Sequence, residues 1–136
     1  GCNKFGNDLA DLRLKQRNDA ADAKAVLEFE RAAALKAKQM LEWKEFKSVA
    51  EQRIMEHSTI ITEYKLSVKG RRRSFDYQVV QKLENIEVKQ RALRNKLIEF
   101  NIHKDDWSTF HSSYKKDLEL VSAEVAEFRM KPMSKI

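Results

Sequence analysis

Histidines, cysteines and paired carboxylates are the side chains with which this 136-residue chain could do chemistry, and their spacing does not favour it. The three histidines, His57, His103 and His111, include no i, i+4 pair, the spacing that lets two imidazoles on one helix meet one metal. On a shared helix His103 and His111 would stand two turns apart, too far to ligate together without a third element. Acidic residues alternate with lysine and arginine at helical spacing, as in Glu42-Trp43-Lys44-Glu45, the pattern of a solvated, ion-paired face. Three glycines are too few for a phosphate-cradling loop. The expectation is therefore a protein with no catalytic residues, no metal and no cofactor.

Cys2 is the only cysteine, which excludes an internal disulfide and a multi-cysteine metal site. It lies in the opening "GCNKFGND", where three readings stay open. Cys2 is a lipidation site if a signal peptide precedes it, as in bacterial envelope lipoproteins. N-myristoylation wants Ser or Thr where Phe5 stands. A fragment boundary is the third. No apolar run approaches the roughly 18 residues that cross a bilayer, so the expectation is a soluble, cytoplasmic chain unless Cys2 anchors it.

The net charge of +6 is concentrated. Residues 69–74 carry Lys69, Arg71, Arg72 and Arg73 with no acid among them, while the stretches on either side are each close to neutral. Lys69-Gly70-Arg71 reads first as a turn. Because the arginine fork donates two parallel hydrogen bonds to phosphate, the same four side chains are also candidate contacts for an anionic partner, phospholipid or nucleic acid. So few contacts imply weak, salt-sensitive binding.

The elements that would carry these residues are helices. A chain 35% charged and 42% hydrophobic, with one proline, has the composition of long helix or coiled coil. Asn7-Asp8 with Asp11 makes a capped start. From there to Val68 apolar residues recur every three or four positions, from Val26, Phe29 and Ala33 through Trp43, Phe46 and Ala50 to Ile54, Ile61 and Tyr64, with His57 inside the seam. Ser74 can cap a second helix whose seam runs Val79, Leu83, Ile86, Gln90, Leu93, Leu97 and Phe100. Gln90 is either a buried register-setting residue or an exposed one.

"NIHKDDWSTF" (Asn101 to Phe110) reads two ways: Asn101 can end a helix and Asp105 or Asp106 cap the next, yet the seven-residue phase runs on from Phe100 to Trp107. The fold class predicted is all-α, a single domain forming an elongated antiparallel hairpin or coiled coil. Its parts are an N-terminal extension 1–7, arms over 8–68 and 75–130, a basic tip loop 69–74 and a tail 131–136 after a helix stop at Pro132. A three-helix form with a break near 101–105 is the alternative.

Trp43, Phe46, Phe100, Trp107 and Phe110 read as aromatics that pack the helices together, with anchors for a partner as the other reading. A hairpin pivoting near residue 71 sets Trp43 near Phe100 and Trp107 near Leu35. Leu27, Leu35, Leu41, Met55 and Ile60 widen the apolar stripe beyond what two helices cover. A further helix is expected from residues 106–130 folding back, from a second copy, or from a partner. "EWKEFKSVAEQRIMEHSTIITEYK" (Glu42 to Lys65) also aligns without gaps on "DWSTFHSSYKKDLELVSAEVAEFR" (Asp106 to Arg129), pairing Trp43 with Trp107 and Tyr64 with Phe128. Duplication, or two amphipathic helices of one period, would each give this echo.

In pattern, "LRLKQRNDAADAKAVLEFERAAALKAKQMLEW" (Leu12 to Trp43), "EQRI" (Glu51 to Ile54) and "YQVVQKLENIEVKQRAL" (Tyr77 to Leu93) resemble the central-stalk coiled-coil subunits of flagellar and type III secretion export ATPases. The likeness covers most of the chain and consists of helical pattern with no invariant motif. It departs in the Gly-Cys start, a long first arm and the triple arginine. It implies a non-catalytic two-helix stalk that inserts its helix termini into an ATPase ring and presents its loop elsewhere. The functional expectation is a helical scaffold or adaptor that docks on protein partners or on itself, with an anionic-surface binder and an envelope lipoprotein as alternatives.

Overall fold

The computed structural model describes residues 2–70 and 76–129. Among the described residues the regular structure is three α-helices, α1 (Cys2–Gly70), α2 (Tyr77–Glu99) and α3 (Trp107–Ala126), so the fold is all-α. The chain divides into two units, Gly1–Leu41 and Glu42–Ile136.

The first unit contains the opening stretch of α1. The helix begins at Cys2, ahead of the expected cap at Asn7-Asp8. Asn7 and Gly6 lower helix propensity without the locked φ of proline, so they do not force the chain out of the helix. From Asp8 to Leu41 the side chains are exposed, apart from half-buried Lys36 and Gln39.

The second unit is a three-helix bundle built from the C-terminal stretch of α1, α2 and α3. Lys65 pairs with Glu87, Arg94 donates to Ser58 Oγ at 2.9 Å, and Trp43 meets Phe100, so α2 runs antiparallel to α1. Lys89–Glu124 at 2.6 Å and Lys96–Asp117 at 3.0 Å set α3 antiparallel to α2. Trp107 with Glu42, Ser122 with His57 and Phe128 with Tyr64 then place α3 parallel to α1. These ion pairs are half-exposed and contribute little each; the core decides the packing. That core joins Ala50, Ile54 and Ile61 of α1, Leu83, Ile86, Leu93 and Leu97 of α2, and Tyr114, Leu118, Val121 and Val125 of α3, with Phe128 after it. Each set keeps the three-to-four spacing of one helix face.

The second arm is therefore two helices, and the seven-residue phase that links Phe100 to Trp107 does not carry a helix across. Phe100 leaves α2 in an extended conformation, its N–H still bonded to Lys96 O at 3.0 Å. The Asn101 carboxamide accepts from His103 N–H at 2.9 Å, and Asp105 accepts from Asn101 N–H at 2.8 Å. Ile102 is buried, which pins the turn to the bundle. Asp106 is the N-cap of α3, accepting from the Thr109 N–H at 3.4 Å and from the Thr109 hydroxyl. Side chains that bond to nearby backbone compete with the helix ladder, and here Asn101, Asp105 and Asp106 do so while Ile102 anchors the turn. Both hydrogen bonds from Thr109 hold the Asp106 carboxyl below the usual carboxylate range, the hydroxyl contributing most.

At the other connection, Lys69 and Gly70 belong to α1 and not to a tip loop. Asp76 precedes α2 in extended conformation and makes no side-chain cap. The expected cap Ser74, together with Arg71, Arg72, Arg73 and Phe75, lies outside the described residues, as does Pro132.

Candidate interaction surface

Two groups of side chains in the bundle merit a functional reading, and α1 supplies a third. The first is the ring cluster beside the α2–α3 break. Trp107 is buried, lies edge-on to Trp43 at 5.8 Å and to Phe46 at 5.5 Å, and donates its indole N–H to Glu42 at 3.0 Å. Phe100 and Phe110 stack at 4.1 Å, and Trp43 caps both. The five aromatics singled out in the sequence are thus one cluster. Trp107, expected opposite Leu35 in an unbroken arm, is turned back onto Trp43 and Phe46 because the break reverses the chain. Tyr114 and His111 extend the cluster, though neither was among the five packing aromatics read from the sequence. The Tyr114 hydroxyl donates to the Leu93 carbonyl at 3.0 Å, and burial, aided by the Glu51 charge, pushes its pKa up. An open groove beside this cluster has Phe100, Phe110 and Tyr114 as its floor and Asp105 and Asp106 at its rim. Both carboxylates are already engaged in the turn, and Lys96 and Glu99 line the groove beside them.

The second group is polar and lies inside the core. His57 of α1, Gln90 of α2 and Ser122 of α3 meet, with His57 and Gln90 buried. Gln90, left open by the sequence, is a core residue. Ser122 has one hydroxyl proton and donates it to Leu118 O at 2.8 Å, so at 2.9 Å it accepts from His57 Nε2–H. The neutral imidazole then has a bare Nδ1. Neither Nδ1 nor Gln90 Oε1 has a hydrogen-bond partner among the described residues. A half-turn of the Gln90 carboxamide would present its NH2 to Nδ1. Burial, then the nearby Arg53 charge, holds the His57 pKa below its ordinary value. Nothing here resembles a nucleophile–base pair opening onto a cavity.

The third is the apolar set on α1 ahead of the bundle. Val26 is 56% exposed, Phe29 74% and Met40 41%, and Leu27, Leu35 and Leu41 are also exposed. In the bundle Met55 is exposed too, whereas Ile60 is half-buried. The apolar side chains ahead of the bundle lie on a stretch of α1 that no other helix covers among the described residues.

Of the remaining sequence candidates, Lys69 is exposed on the last turn of α1, and Arg71, Arg72 and Arg73 are outside the described residues. Cys2 is the first residue of α1. No group of three or more metal-ligating side chains comes together among the described residues, and no helix there is long and apolar enough to cross a membrane. No family model matches the chain, and no curated protein or solved structure matches it either.

Proposed function

We propose that this chain is a non-catalytic helical scaffold that docks on other protein helices through the exposed apolar face of α1. The observation that carries this reading is the contrast along one helix. Between Trp43 and Tyr64 the seam residues Ala50, Ile54 and Ile61 of α1 are covered by α2 and α3, whereas Val26, Phe29 and Met40 are exposed. A helix with large apolar side chains in water is completed by a partner helix, whose burial of that face stabilises the pair. A stalk subunit of an export apparatus would be one instance of such a scaffold.

The test is site-specific photo-crosslinking in the cells that make the protein. A photoreactive residue at Phe29 is expected to give protein adducts, and one at exposed Glu119 of α3 is expected to give few. Absence of adducts at position 29, or equal yields at both positions, would overturn the reading.

A further inference from the structure

The charge pattern of α1 indicates what covers this face. Val26, Phe29, Ala33, Ala37 and Met40 follow at steps of three or four and share one side of the helix. Continuing at the same steps, the side is acidic before the apolar set, at Asp19 and Asp22, and basic after it, at Lys44 and Lys47. Lys15 and Glu51 extend the pattern, each five helical turns, about 18 residues at 3.6 per turn, from Ala33.

Reversed about Ala33, this face is complementary to itself. Val26 falls opposite Met40, and Phe29 falls opposite Ala37, large against small. Asp22 falls opposite Lys44, Asp19 opposite Lys47, and Lys15 opposite Glu51. Ala33 meets its own copy, and a small residue at the axis lets two backbones approach closely. Laid parallel in the same register, the face would set Asp against Asp and Lys against Lys, which charge repulsion disfavours. Lys44 is exposed, and Lys47 is half-buried with its ammonium 5.9 Å from the centre of the Trp43 ring.

From this we infer that a second copy of the chain docks on α1 in antiparallel orientation, about a two-fold axis beside Ala33. The inference rests on the scaffold reading and names its partner. Such an interface is isologous, each contact occurring twice, so a single substitution removes two contacts.

Two measurements test it, both in the 136-residue chain carrying Cys2→Ser. Sedimentation equilibrium is expected to show a dimer, and Asp19→Lys with Asp22→Lys to weaken it at least roughly tenfold through like-charge contacts. Adding Lys44→Asp and Lys47→Asp to the same chain should restore it. Near-ultraviolet dichroism of Trp43 and Trp107 reports that the bundle is intact in each variant. Under mild oxidation, a mixture of Asp22→Cys and Lys44→Cys chains is expected to give the 22–44 disulfide. A 22–22 disulfide as the main product, or a monomer at all concentrations, would overturn the inference. A monomer whose position-29 probe still captures other proteins removes self-pairing and leaves the scaffold reading standing. A probe that captures nothing removes both.

Discussion

Trp43 of α1 and Trp107 of α3 meet edge-on with ring centroids 5.8 Å apart, and they are the residues that the internal echo of the sequence places in equivalent positions. Tyr64 and Phe128, equivalent in the same alignment, meet at 4.9 Å. Because α3 runs parallel to α1, equivalent residues arrive at the same height and pack side by side against α2. The echo therefore has a structural counterpart: two helices of like pattern flank a third.

Removing one ring of this cluster should be costly. Trp107→Ala is expected to destabilise the bundle by about 3–5 kcal/mol, since it deletes a buried indole and leaves a cavity. Trp107→Phe should cost less, keeping a ring against Trp43 and Phe46 while losing the bond to Glu42. Urea unfolding followed by circular dichroism measures both.

Tyr114→Phe isolates one hydrogen bond. The substitution leaves the Leu93 carbonyl without the hydroxyl that donates to it at 3.0 Å, and is expected to cost about 1–2 kcal/mol in the same experiment. Equal stability of the two proteins would show that this bond is not formed in solution.

His57 should make the fold acid-sensitive. Its folded pKa is held below the ordinary 6.5, so the unfolded chain binds the proton first as pH falls. Stability contributed by the neutral, buried ring is full above about pH 6.5, declines as pH drops below that value, and stops declining beneath the folded pKa. Groups near the ring act in both directions, Arg53 lowering its pKa and Glu56 and Gln90 raising it, but burial dominates. The unfolding midpoint is expected to fall between pH 7 and pH 5, and His57→Leu to flatten that part of the profile. An identical slope in the variant would assign the sensitivity to other groups.

Gly70 should be replaceable. It is the last residue of α1, and a Cβ there would meet nothing within 4 Å. Gly70→Ala is expected to be neutral or to stabilise by up to about 1 kcal/mol through the unfolded chain and helix propensity. A clear loss of stability would mean that the connection to α2 needs a glycine.

Much of the fold was legible in the sequence because helical period survives without knowledge of partners. The seams through Ile54, Leu83 and Leu118 identify the buried faces, and the width of the stripe at Ile60 called for a further helix, which α3 supplies. The chain reversal was harder to read. The seven-residue spacing from Phe100 to Trp107 continues the helical pattern, and what ends α2 is a set of short-range bonds by Asn101, Asp105 and Asp106 that periodicity does not register. The partners of the buried polar groups were illegible for a different reason. His57 and Ser122 stand far apart in the chain, and only the parallel course of α3 brings them together. Their signal, a histidine and a glutamine each inside an apolar seam, was present, but it names no neighbour.

The claim that a second copy completes α1 is tested most directly by amide hydrogen exchange as a function of protein concentration. A helix with no tertiary cover is marginal in water, whereas bundle amides around Ile86 and Val125 exchange only on wider opening. Amides of residues 9–41 are expected to exchange quickly in dilute solution and to become protected as concentration rises, while those of Ile86 and Val125 stay slow throughout. Residues 9–41 exchanging at the same rate at every concentration, fast or slow, would contradict it.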